Sequence, residues 1–121
     1  MNDSTSGKLA QVLAAGHFAM TAETSPPDAA SADAVLQRVE CLKGVADAVN
    51  VTDGASARVH MSALATAAIM AREGIDPVLQ LTTRDRNRLA LQGAPSTARS
   101  PTARTARSAT PCSTVRSTRA S

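Results

Sequence analysis

Three polar residues, Glu23, Thr52 and Gln80, recur at intervals of 28–29 residues, and each closes an otherwise apolar stretch. A carboxyl can deliver or accept a proton, whereas a hydroxyl and a primary amide position partners through neutral hydrogen bonds. On spacing alone a second set of roles is the favoured one. Glu23 reads as a solvated loop-edge carboxylate, Thr52 as a turn-capping hydroxyl, and Gln80 as a polar residue satisfied in place. His17 reads as an edge histidine opening a strand and His60 as a solvent-facing position on a helix. Arg84, Arg86 and Arg88, with Asp85, read as a solvated helix start rather than a phosphate clamp. Asp53-Gly54 is a turn pair.

The elements that must carry these residues follow from the apolar pattern. Residues 6–15 predict a short helix capped by Ser6, with Leu9, Val12 and Leu13 on one stripe and Gly16 as its stop. His17–Ala22 reads as a buried strand, after which Pro26 and Pro27 forbid helix and central strand alike. Ser31 is an N-cap and Asp33 complements the first turn of a helix striped by Val35, Val39, Leu42 and Val45, ending near Gly44. Ala46–Thr52 is a second strand. Residues 57–72 give the longest helical pattern, with Val59, Ala63, Ala67 and Met70 aligned and Gly74 beyond its end. Pro77–Thr82 is a third strand, and TRDRNRLALQ starts the next helix.

One helix followed by three strand–helix units predicts an α/β protein with parallel strands. The unit length sits near the roughly 31 residues per unit of a (βα)8 barrel and also suits a doubly wound sheet. No GxGxxG follows the first strand, which counts against a dinucleotide-binding form of the second alternative. In a barrel, reactive groups gather at the C-terminal ends of the strands, where Glu23, Thr52 and Gln80 fall.

Composition narrows the function classes. Residues 1–93 carry eight Lys/Arg against ten Asp/Glu, and residues 94–121 carry five Arg and no acid. The overall net charge of +3 is therefore a property of the tail, and the body offers no footprint for a phosphate backbone. Phe18 is the sole aromatic residue, so any core is built from small aliphatic side chains and is thin. Cys41 and Cys112 form no metal or disulfide pattern, and Cys41 reads as a small buried hydrophobe. No stretch suits a secretory leader or a membrane span, and a cytoplasmic location is the default expectation. The tail, almost wholly Ala, Ser, Thr, Arg and Pro, predicts disorder. Its abrupt onset in mid-helix suggests a shifted reading frame. A nucleic-acid-binding arm is the competing reading, weakened by the absence of aromatic residues to stack on bases.

Three segments together carry a family resemblance: Glu23-x-x-Pro-Pro, Val49-x-Val-Thr-x-Gly-Ala and Leu81-Thr-x-Arg-Asp, in that order and at matching spacing. Over about residues 7–93 the chain resembles the methylenetetrahydrofolate reductase family. The resemblance implies a flavoprotein (βα)8 barrel that binds FAD, takes hydride from NADH or NADPH, and reduces methylenetetrahydrofolate to methyltetrahydrofolate in one-carbon metabolism. It implies Glu23 as the general acid, its carboxyl kept protonated by an apolar barrel mouth. It implies Thr52 and Gln80 as flavin contacts. The third-strand contact is a His in well-known members, so Gln80 keeps only a neutral positioning role here.

The expectation is an incomplete TIM-barrel fragment of about three βα units at 1–93, inactive alone, followed by a disordered basic tail at 94–121. Two alternatives stand beside it: a non-enzymatic fragment whose open edge is covered by another chain, and a small binding module with a basic tail. The metal-site expectation is none.

Overall fold

The computed structural model describes residues 7–97 and 104–106. Three parallel strands, β1 (Thr21–Thr24), β2 (Ala48–Val51) and β3 (Pro77–Gln80), form the sheet. The backbone of β4 (Arg104–Ala106) extends it, parallel to β3. The strand order is sequential, β1-β2-β3-β4. Helix α1 (Lys8–Ala14) precedes the sheet, and α2 (Ala32–Val39), α3 (Ala63–Arg72) and α4 (Arg88–Thr97) follow β1, β2 and β3 in turn. The expected α/β order of one helix and three strand–helix units is the one observed.

Local chemistry sets most helix ends. The Ser31 hydroxyl accepts from the Ala34 amide at 3.4 Å and caps α2, with Asp33 in the first turn. Asn87 accepts from the Ala90 amide at 2.9 Å and so opens α4. Beyond α3, Gly74 takes φ +78°, which favours a residue without Cβ. The cap of α1 is remote. Asp76, just before β3, accepts from the Leu9 amide at 3.1 Å. Lys8 pairs with Asp47, just before β2, at 3.0 Å. Thus α1 is fastened to the N-terminal edge of the sheet, although none of its residues is buried. Ser6, expected as its cap, lies outside the described residues.

The core is the layer between the sheet and α2 and α3. Val35 and Val39 from α2 and Ala63, Ala67 and Met70 from α3 meet Val49 and Val51 of β2 and Leu79 of β3. Each of these side chains is almost fully withdrawn from water, and Ile75 joins them. The small residues expected to build a thin core do build it.

Several expectations are corrected. The first strand is not His17–Ala22: it begins at Thr21, where β2 becomes available as a partner, and runs past Ala22 to Thr24. Phe18 and Met20 are more than half exposed and His17 is exposed, so that apolar run is not a buried strand. The 57–72 helix starts only at Ala63. Ala55–Ala57 instead form a 3-10 turn with Ser56 and Ala57 at positive φ. The following segment is held by a bond from the Met61 amide to Pro27 O at 2.8 Å, so long-range bonding overrides helix propensity there. Val59, expected on the buried stripe, is 92 % exposed, and Val45 likewise leaves the stripe of α2 because that helix gives way to a 3-10 turn at Glu40–Leu42. Cys41, expected buried, lies exposed on that turn. Helix α4 continues through position 93, the expected end of the body, to Thr97. Apart from 104–106, the tail beyond Thr97 lies outside the described residues, and so does the expectation of its disorder.

Candidate functional site

The pleat of the sheet decides which side chains share a face. Ala22, Val49 and Pro77 form one register row, and Thr24, Val51 and Leu79 another. These rows carry the residues buried beneath α2 and α3. The alternating row, Glu23, Asn50 and Val78, therefore projects from the face opposite α2 and α3. Thr52 follows Val51, and Gln80 follows Leu79, so these two fall one step further along on that same face. All three expected site residues lie at the C-terminal edge of one parallel sheet, on one side of it.

Glu23 is third of the four residues of β1 rather than the residue after it, and it is exposed. Asn50, half-buried on β2, stands beside it in register at the roughly 4.8 Å spacing of adjacent strands. Thr52 is half-buried, and its hydroxyl donates to Ser25 Oγ at 3.0 Å, while its amide donates to Thr24 O at 3.1 Å. These bonds draw the loop after β1 against the end of β2. Gln80 is half-buried at the end of β3. Asn50 and Ser25 were missed in the sequence. The signal for Asn50 was a polar residue inside an apolar strand, two positions before Thr52, which places both on the same face.

The loops behind this edge are fastened by charge. Asp53 receives Arg86 Nη2 at 3.2 Å and 2.9 Å on its two carboxylate oxygens, and the Thr82 amide at 2.8 Å. Arg86 is thus not part of a solvated helix start as expected. Arg84 does fit that description, paired with the neighbouring Asp85 in the open. Mutual hydrogen bonding with its charged partner holds the Asp85 carboxyl below the ordinary carboxylate value and raises the Arg84 guanidinium. His60, expected to face solvent on a helix, sits instead in the loop before α3 with its side chain 15 % exposed. Its Nε2 lies 3.1 Å from Ala55 O, and its Nδ1 lies 2.9 Å from Asp28 Oδ1. Among the described residues, no group of three or more His, Cys, Asp or Glu is placed to hold a metal ion. No described helix is long and apolar enough to cross a membrane.

A parallel α/β sheet with an acid, two amides and hydroxyls collected at the C-terminal edge defines the class: an α/β protein with its polar site where strands hand over to helices. Within that class, a family model narrows the assignment. It describes methylenetetrahydrofolate reductase and matches residues 8–104, so the chain belongs to the methylenetetrahydrofolate reductase family, a family of folate oxidoreductases. The match continues past Gly93, where the motif resemblance stops. No curated protein and no solved structure matches the chain.

Proposed function

We propose that the described residues are the opening βα units of a (βα)8 barrel that reduces methylenetetrahydrofolate to methyltetrahydrofolate with FAD and NADH or NADPH. The observation that carries this reading is the common face of Glu23, Thr52 and Gln80 at the C-terminal edge of a sheet in sequential order. Sequential order with α2 and α3 packed together on one side is how a barrel wall is built. A doubly wound sheet reverses its order and covers both faces.

The residues present fit a flavin in donor chemistry. Thr52 and Gln80 are both half-buried, uncharged and able to donate as well as accept, which suits the neutral polar edge of an isoalloxazine ring. They are the residues that would hold it, and a bound flavin supplies hydride. Glu23 then acts as the general acid. Its carboxyl proton passes to the folate ring nitrogen, the bond from that nitrogen to the one-carbon bridge breaks with the electron pair going to the nitrogen, and the resulting iminium is the hydride acceptor. Asn50, beside Glu23, is placed to hydrogen-bond the carboxyl or the substrate without changing charge.

Four strands offer a flavin one edge of a site and leave its other sides uncovered, so the described units by themselves are proposed to be inactive. The uncovered face and the outer edge of β1 favour a second reading, a non-enzymatic piece that docks with a chain supplying further strands. The test is an FAD titration of the purified chain, followed by the visible flavin band. Saturable binding that survives Glu23→Gln but weakens in Thr52→Val supports the reductase reading. Binding insensitive to Thr52→Val and to Gln80→Leu sinks it.

A further inference from the structure

The loops after β2 and β3 are joined by one compact set of bonds centred on Asp53. Its carboxylate takes both Arg86 and the Thr82 amide, and its backbone carbonyl accepts from Thr82 Oγ1 at 2.7 Å. The Asp53 side chain is 11 % exposed and that of Arg86 31 %, so the pair is partly shielded from water and salt. Gly54, at φ +66°, turns the chain away directly behind it, and a Cβ there would sit 3.7 Å from Thr82 Oγ1. None of these residues belongs to the hydrophobic core.

Their sequence positions give the clasp its meaning. Asp53 adjoins Thr52, and Thr82 lies two residues beyond Gln80. The β2–β3 ladder ends at the Val51–Leu79 pair. Past that point β2 and β3 have no direct ladder bond: Thr52 is held by the residues that end β1 and Gln80 by its pairing with β4, and the Asp53 bonds are what tie the two ends to each other.

We infer that Asp53 and Arg86 are positioning residues, which fix the separation of Thr52 and Gln80 so that both can address one planar ligand edge. The ligand part of this inference rests on the flavin reading above; the clasp itself does not. Asp53 contributes no group to the ligand. It acts through the loop of Thr82.

The test uses the full 121-residue chain and its Asp53→Ala, Arg86→Ala and Arg86→Lys variants, with Arg84→Ala as control. Nuclear magnetic resonance reads the Thr52 methyl, the Gln80 side-chain amide and hydrogen exchange at the Thr82 amide, and an FAD titration reads affinity. The expectation is that Asp53→Ala and Arg86→Ala speed Thr82 exchange by about tenfold or more, the scale of a lost hydrogen bond to a charged group, and shift both Thr52 and Gln80. Arg86→Lys restores the resonances in part, and Arg84→Ala leaves them unchanged. FAD affinity falls about tenfold with little change in the thermal midpoint, a split that a purely structural role would not produce. Faster Thr82 exchange with unmoved Thr52 and Gln80 signals overturns the inference. If the parent chain binds no FAD, the flavin reading fails, and the resonance arm alone decides the clasp. Should Asp53→Ala fail to fold, Arg86→Lys gives the same readouts.

Discussion

Glu23 of β1 and Asn50 of β2 occupy one register row of the parallel sheet and project from the face opposite α2 and α3. A carboxyl and a carboxamide side by side can hydrogen-bond across the two strands. Replacing the amide by a second acid removes that compatibility. Asn50→Asp is expected to destabilise the chain by about 0.5–1 kcal/mol, the scale of like groups placed directly opposite across two strands. Urea unfolding of this variant beside Asn50→Ser checks it, and equal losses in the two would show that the two side chains do not face each other.

Acid sensitivity should also arise at the opposite edge of the sheet. Asp47 accepts from the Met20 amide at 2.9 Å and pairs with Lys8 at 3.0 Å. The Met20 bond first, and Lys8 second, hold its carboxyl below the ordinary value of 3.8. A depressed folded value means that its stabilisation is complete above 3.8 and is lost as the pH falls through the lower, folded value. In Asp47→Asn this acid-dependent portion should vanish. Unfolding midpoints followed down through pH 4 to 2 measure it, and an unchanged acid slope in the variant refutes the assignment.

Met70 is the largest of the fully buried side chains, with 0 % exposure, in the layer between α3 and the sheet. Met70→Ala leaves a cavity among small neighbours that cannot collapse far, at a cost of about 2–4 kcal/mol. The chain has no Trp or Tyr, so far-ultraviolet circular dichroism is the probe. Loss of the cooperative transition, or a midpoint lowered in proportion, is expected. A shift no larger than that of an exposed control such as Leu89→Ala would contradict this account of the core.

Thr66 on α3 is 1 % exposed, and its hydroxyl has no hydrogen-bond partner among the described residues. Burying an unsatisfied hydroxyl is unfavourable, and valine matches its shape. Thr66→Val should therefore stabilise the chain by about 1 kcal/mol, whereas Thr66→Ser, which keeps the hydroxyl and loses a methyl, should destabilise it. Thermal unfolding of both variants is the measurement.

Much of the site was legible before the fold. The interval between Glu23, Thr52 and Gln80 matches one strand–helix unit, so in a parallel sheet they must reach the same edge. Ser31, Asp33 and Gly74 announced their helix ends because caps are local chemistry. Where long-range bonds compete, local pattern misled. The run at Val59 has helical character, yet a bond from Met61 to Pro27, 34 positions earlier, holds it out of α3. Cys41 fits an amphipathic stripe, but α2 tightens into a 3-10 turn at Glu40 and rotates it outward.

What the sequence by itself determined is the order and period of the elements, the small-residue core and the edge on which the polar groups collect, since these depend on spacing and apolar pattern. Only the tertiary structure decided that Asn50 stands beside Glu23, that His60 turns inward toward Asp28, and that Arg86 closes on Asp53 rather than on solvent. Those contacts join residues about 30 positions apart, and strand register, which sets them, depends on partners that no local stretch of chain contains.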